Sequence, residues 1–89
     1  MIASKRWSVD LFIGERDGRT HAEARLLKED GGHLVGTGEA RLNPSDQDVP
    51  MIGDELAVAR ALSDLGHQLL ATASADIEAR SHRPVYLSG

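Results

Sequence analysis

No cysteine occurs among the 89 residues, so neither a disulfide framework nor a thiolate metal site can hold this chain together. That fits a reducing compartment without proving one, since secreted proteins can also lack cysteine. Long apolar runs are missing too. The longest falls far short of the roughly 20 residues needed to span a bilayer, which excludes a transmembrane helix. Behind the basic pair Lys5-Arg6 the residues alternate from Trp7 onward instead of forming an apolar block, so a signal peptide is not expected and the chain is read as cytoplasmic.

What remains is a chain of one-domain size, and a single domain over residues 1–89 is expected. A chain this small buries only about 60 to 65% of its unfolded surface. Its core must be thin. With disulfides unavailable, small scaffolds gain stability by self-association, and a homodimer is the default expectation. Charge is uneven along the chain. Residues 1–45 carry seven positive and seven negative groups, residues 46–79 one and seven, and residues 80–89 two and none, which accounts for the net charge of −4. The acidity is concentrated where a helix is predicted, and such a surface repels phosphate backbones.

From Lys5 to Gly14, Trp7, Val9, Leu11 and Ile13 alternate with Ser8, Asp10 and Phe12, the period of two that marks a half-buried strand. Asp17-Gly18 between two alternating runs predicts a tight hairpin, because both residues tolerate positive φ. A second strand is expected from Arg19, with Thr20, Ala22, Ala24 and Leu26 inward, and a third over His33–Leu42, with Leu34, Gly36, Gly38, Ala40 and Leu42 on one side. The small residues at the middle of that inner face admit two explanations. Either a helix crosses closely at Gly36 and Gly38, with Trp7, Val9, Leu11, Leu26 and Leu42 filling the flanks, or the strand bulges there.

Asn43-Pro44-Ser45-Asp46 predicts a turn, and Gly53-Asp54 a helix cap. Leu56, Ala59, Leu62, Gly66, Leu69, Leu70 and Ala73 then recur at helical spacing, with Arg60, Ser63, Asp64, His67 and Gln68 on the opposite, solvent side. A second apolar line through Val58, Ala61, Leu62 and Leu65 widens the stripe, and a partner subunit could cover it. Gly66 marks a close crossing or a weak point. Asp76 could cap a further short helix over Ile77–Ser81, and Val85-Tyr86-Leu87 reads as an extended tail. The expected fold class is therefore α+β: a three-stranded antiparallel sheet, a long helix and a short C-terminal helical segment.

Chemistry is sparse in this pattern. His21, His33, His67 and His82 have no ligand spacing relative to one another, so no metal site is expected. Gly36-x-Gly38 lies within a strand and lacks the third glycine and following helix of a dinucleotide fingerprint. Ser63, Asp64 and His67 share a helical face but have no nucleophile elbow or oxyanion hole. Asp46-x-Asp48 starts like a calcium loop without completing one. No catalytic residue, cofactor or enzyme activity is expected. Arg25 and Arg41 stand beside Glu23 and Glu39 in a pattern that suits cross-strand pairing. Arg16 and Arg19 at the hairpin, and Arg80 and Arg83 near the end, are the candidate contacts for RNA or a partner.

Gly38-Glu39-Ala40-Arg41-Leu42-Asn43-Pro44-Ser45-Asp46, then Val49-Pro50 and Ile52-Gly53-Asp54-Glu55-Leu56-Ala57-Val58-Ala59-Arg60-Ala61-Leu62-Ser63-Asp64-Leu65, and later Asp76-Ile77-Glu78-Ala79 with His82 and Pro84, resemble a small uncharacterised bacterial family with a double-stranded-RNA-binding-domain-like fold. The resemblance spans nearly the whole chain from Trp7. It implies three antiparallel strands followed by a helix, a homodimer, a link to stress or dormancy, and a shape like that of ribosome hibernation-promoting factors. RNA-binding members of that fold carry lysines where the helix after the sheet begins. Here that position reads Gly53-Asp54-Glu55. A non-enzymatic homodimeric interaction protein is the first expectation, and a ribosome- or RNA-associated hibernation-type factor the alternative. No membrane or DNA partner is expected.

Overall fold

The computed structural model describes residues 3–41, 49–81 and 87. Three strands, β1 (Ser8–Arg16), β2 (Arg19–Leu27) and β3 (His33–Arg41), form an antiparallel sheet in the order β1-β2-β3 and are followed by one helix, α1 (Pro50–Ser81). This is the expected α+β arrangement. β1 and β2 are joined by Asp17-Gly18, with φ of 51° and 73°. Positive φ at both central residues gives the turn whose twist matches that of the flanking strands. Gly31 turns the β2–β3 connection with φ of 88°, and Gly32 N–H donates to Asp30 Oδ1 at 2.8 Å.

Pairing is unbroken across both ladders. Val9, Leu11 and Ile13 stand opposite Leu26, Ala24 and Ala22, and these stand opposite Leu34, Gly36 and Gly38. The bulge considered at the two glycines is therefore absent, and the helix comes in instead. A Cβ on Gly36 would sit closer than 3.0 Å to Ala61 O, Leu65 N and Leu65 Cβ, and one on Gly38 equally close to Ala57 O, Ala61 N and Arg60 Cβ. Hydrogen is the largest substituent that fits beneath the helix. Among the described residues the core consists of Ala22, Ala24, Leu26, Ala40, Ala57, Ala61 and Leu65, with Leu34, Val58 and Leu69 partly buried against it. Leu26 and Leu65 are the largest buried side chains of that group. The core is thin, as chain length implied.

The helix starts earlier and ends later than its sequence suggests. It opens at Pro50, where a missing N–H costs nothing, and Ile52 N–H donates to Val49 O at 3.0 Å. Asp54 is consequently inside the helix, not its cap, and the first turn carries no acid. At the other end the expected break near Asp76 does not occur. Thr72 Oγ1 donates to Gln68 O at 3.0 Å and Ser81 Oγ to Ile77 O at 2.9 Å. Such back-bonding satisfies hydroxyls that would otherwise compete with the helical ladder. One continuous helix of 32 residues results, about 48 Å long at 1.5 Å per residue. Gly66 is no close crossing, since a Cβ there would meet nothing within 4 Å. Leu42, the Asn43–Asp46 turn and Val85-Tyr86 lie outside the described residues.

Candidate functional site

α1 lies over the β2–β3 side of the sheet and leaves β1 bare. Its buried line, Ala57, Ala61 and Leu65, rests on Gly38, Gly36 and their neighbours in β2. β1 was expected to be half-buried, yet all nine of its residues are exposed. The alternation placed Val9, Leu11 and Ile13 on the correct face, but with the helix centred elsewhere their relative exposures are 42%, 44% and 48%. Trp7, at 50% exposure, has Lys28 Nζ above its ring at 5.3 Å. Among the described residues, Leu26 is the one that fills the flank as expected.

The helix reaches the outer edge of β3 with polar side chains. Arg60 Nη1 donates to Glu39 O at 2.6 Å, Thr37 N–H donates to Asp64 Oδ2 at 2.9 Å, and Gln68 Nε2 donates to Val35 O at 2.7 Å and to Asp64 Oδ2 at 3.2 Å. Arg60, Asp64 and Gln68 were expected on the solvent side. They instead occupy the free main-chain groups of an edge strand, because the helix axis runs along the rim of the sheet and not over its centre. An edge so covered cannot recruit another strand. Removing one rung should be measurable: Asp64→Ala is expected to cost about 1–2 kcal/mol in urea unfolding, since Thr37 N–H loses a charged acceptor.

These bonds also determine the polarity of every strand. The captured groups belong to Val35, Thr37 and Glu39, so the odd-numbered residues of β3 turn their N–H and C=O away from β2. Its even-numbered residues bond Thr20, Ala22, Ala24 and Leu26, the register partners in β2. The odd-numbered residues of β2 must then bond the even-numbered residues of β1, because opposed residues alternate between bonded and non-bonded pairs. It follows that Val9, Leu11, Ile13 and Glu15 present their main-chain groups to an edge that no strand among the described residues pairs. β1 contains no proline, lysine or bulge, and the charges that could blunt its edge are Asp10 in mid-strand and Glu15 and Arg16 at its end.

The sheet face opposite the helix is mainly polar, with Phe12 and Leu27 exposed on it. Arg25 bonds Glu23 through Nη2 at 2.8 Å and Nε at 3.1 Å and holds the Glu23 carboxyl below its ordinary range. The Arg25 guanidinium carbon also lies 4.5 Å from the Phe12 ring centroid. His21 stands between Glu23 and Glu39, 3.7 Å from each. The cross-strand pairing expected among Arg25, Arg41, Glu23 and Glu39 is not what forms: Arg25 pairs with Glu23 along its own strand, and Glu39 faces His21.

The arginines singled out in the sequence do not converge. Arg16 and Arg19 are register partners, and Arg19 is also the partner of Arg41, so three arginines cross one end of the sheet in a row. Arg41 was missed as a member because it was set against the acids Glu23 and Glu39, and only pairing register places it beside Arg19. Arg16 Nε lies 3.8 Å from Asp17 Oδ2 with both side chains over 90% exposed, a pair worth little. Arg80 is at the opposite end. A Cβ on Gly53 would sit 2.8 Å from Thr20 Oγ1, which fixes the helix start beside the hairpin, and Arg80 lies 27 residues further on, about 40 Å along the axis. Arg83 lies outside the described residues. Among the described residues no group of three or more His, Asp or Glu side chains gathers where a metal could bind, and no helix is long and apolar enough to cross a membrane.

A family model described as Rv2632c-like matches residues 5–86. The chain belongs to the Rv2632c-like family. "Uncharacterized protein Rv2632c" of Mycobacterium tuberculosis is 56% identical over 81 residues, covering 91% of this chain and 86% of that protein. "Uncharacterized protein Mb1767" of Mycobacterium bovis is 54% identical over 83 residues, covering 93% and 87%. The crystal structure of Rv2632c superposes with a TM-score of 0.83 at 53% identity, covering 93% of this chain and 98% of that one. The family and its strand-strand-strand-helix architecture are thereby established, while the function of these relatives is not described.

Proposed function

We propose that this member of the Rv2632c-like family is a non-enzymatic, cytoplasmic interaction protein that works as a homodimer. The observation that carries it is the uncovered β1 face, three half-exposed aliphatic side chains beside a core made mainly of alanine. A chain that has bound its β3 edge internally and left apolar residues and main-chain groups exposed along β1 gains most from a partner there. The absence of cysteine suits a reducing cytoplasm. A role in stress or dormancy rests on the sequence resemblance. Sedimentation equilibrium at micromolar concentration should give twice the 9.6 kDa chain mass, and a monomer would overturn the proposal.

The row Arg16-Arg19-Arg41 supports a second reading, association with a ribosome or RNA. Like charges directly opposed across strands are unfavourable, and a phosphate backbone would relieve that repulsion. A double-stranded-RNA-binding-like use of the helix start has less support, because the first turn has no basic group. Pelleting with ribosomes at low and high salt tests it: binding that falls steeply with salt supports phosphate contacts, and no binding at low salt removes the idea.

A further inference from the structure

We infer that two copies of this chain join by pairing β1 with β1, antiparallel about a two-fold axis at Leu11, into one six-stranded sheet with both helices on the same face. The inference rests on the homodimer proposed above and specifies its geometry. Of the two sheet edges, β3 is occupied by Arg60, Asp64 and Gln68, so β1 alone can accept a strand. Its free main-chain groups belong to odd-numbered residues, and an antiparallel two-fold pairing must set odd against odd.

Among the registers that meet this condition, side-chain chemistry selects one. With the axis at Leu11, Val9 faces Ile13 of the second copy and Leu11 faces its own counterpart, so the helix-side row is apolar from 9 to 13, and Glu15 falls at its ends opposite Trp7. With the axis at Phe12, Val9 would face Glu15. With the axis at Asp10, two aspartates would face each other, which is unfavourable. In the Leu11 register Asp10 instead stands opposite Phe12 of the second copy, whose ring carries the Arg25 guanidinium. Opposite charges therefore meet on the polar face at two symmetric positions.

The size of the surface also suits a second copy. Nine residues of edge extend about 30 Å. Together with a sheet layer and the flank of a helix, each about 10 Å deep, they offer on the order of 600 Å² per copy, approaching the roughly 800 Å² per partner of a stable interface. Val58, Leu62 and Leu69 lie on the helix flank turned away from the β3 edge, that is, toward β1. The interface consequently continues from the strand row onto the helix.

The cysteine-free sequence makes the geometry directly testable. At the axis, Leu11 and its counterpart form a hydrogen-bonded pair with Cα atoms about 5.5 Å apart, inside the range that a disulfide bridges. Asp10 and its counterpart, like Phe12 and its counterpart, would be about 8 Å apart and outside that range. Single substitutions Asp10→Cys, Leu11→Cys and Phe12→Cys, all at exposed positions, are oxidised under native conditions and separated on a non-reducing gel. Leu11→Cys should cross-link at least ~10-fold faster than the other two, and the preference should disappear in denaturant. Fastest cross-linking at 10 or 12 overturns the register. A wild-type dimer in which none of the three cross-links overturns the β1 edge while leaving the homodimer intact. A monomeric wild type overturns both.

Discussion

Gly38→Val is expected to be the most damaging single substitution in the chain, costing about 3 kcal/mol or more in urea or thermal unfolding, with Gly36→Val close behind. The reason lies in what surrounds each Cα. A Cβ at 38 would strike Ala57 O and Ala61 N, and one at 36 would strike Ala61 O and Leu65 N. These are main-chain atoms of a continuous helix, so no rotamer change relieves the clash and α1 must lift off the sheet. Lifting it also separates Arg60, Asp64 and Gln68 from the β3 edge. For a domain of this size total stability is on the order of 4–13 kcal/mol, so such a loss would leave a marginal fold. Gly66→Ala provides the control, because a Cβ there meets nothing within 4 Å. It should be neutral or stabilising by up to about 1 kcal/mol, the difference in helix propensity.

Leu65→Ala is expected to cost about 3 kcal/mol, within the 2–5 kcal/mol typical of buried leucine. Leu65 is only 4% exposed and shares the core with Leu26 and five alanines. Few neighbouring side chains are long enough to move into the space it would leave, which puts the cost above the low end of the range. Leu62, three residues earlier and 43% exposed, should tolerate alanine at under about 1 kcal/mol in folding. Chemical unfolding of the two variants side by side measures the contrast. Equal losses would mean that Leu62 is covered in solution more completely than in the isolated chain.

Much of the fold can be read in the sequence because its local signals agree. Alternation located the strand faces, Asp17-Gly18 located the hairpin, and the cluster of Ala22, Ala24, Gly36 and Gly38 announced the helix crossing, although a bulge explained it equally well at that level. What alternation could not provide was the lateral position of the helix. A period of two separates inward from outward residues and says nothing about which strands a helix covers, so β1 looked half-buried and is not. The solvent-facing assignment of Asp64 and Gln68 failed for the same cause, and Arg60, though exposed, bonds the strand as well: polar residues on a helix resemble a hydrated face whether they meet water or the carbonyls of a strand edge. The helix limits were obscured by Pro50, which serves as a first helical residue, and by hydroxyls at Thr72 and Ser81 that bond within the helix. The arginine row was hidden because Arg16, Arg19 and Arg41 meet only through register. Arg80, grouped with Arg16 and Arg19 as a possible contact, lies at the far end of the molecule.

The helix and the third strand are commensurate. Two residues of strand advance about 6.6 Å and four residues of helix about 6.0 Å. Glu39, Thr37 and Val35 meet Arg60, Asp64 and Gln68 as teeth of nearly equal pitch, and Gly38 and Gly36 receive the helix backbone on the same repeat. The mismatch accumulates to only about 1.2 Å over three teeth. A fourth would begin to fall out of step, which sets a natural length for this kind of meshing. One residue inserted between Arg60 and Gln68 would rotate the later teeth by about 100°, so this segment of the helix tolerates exchange of side chains far better than any change in length.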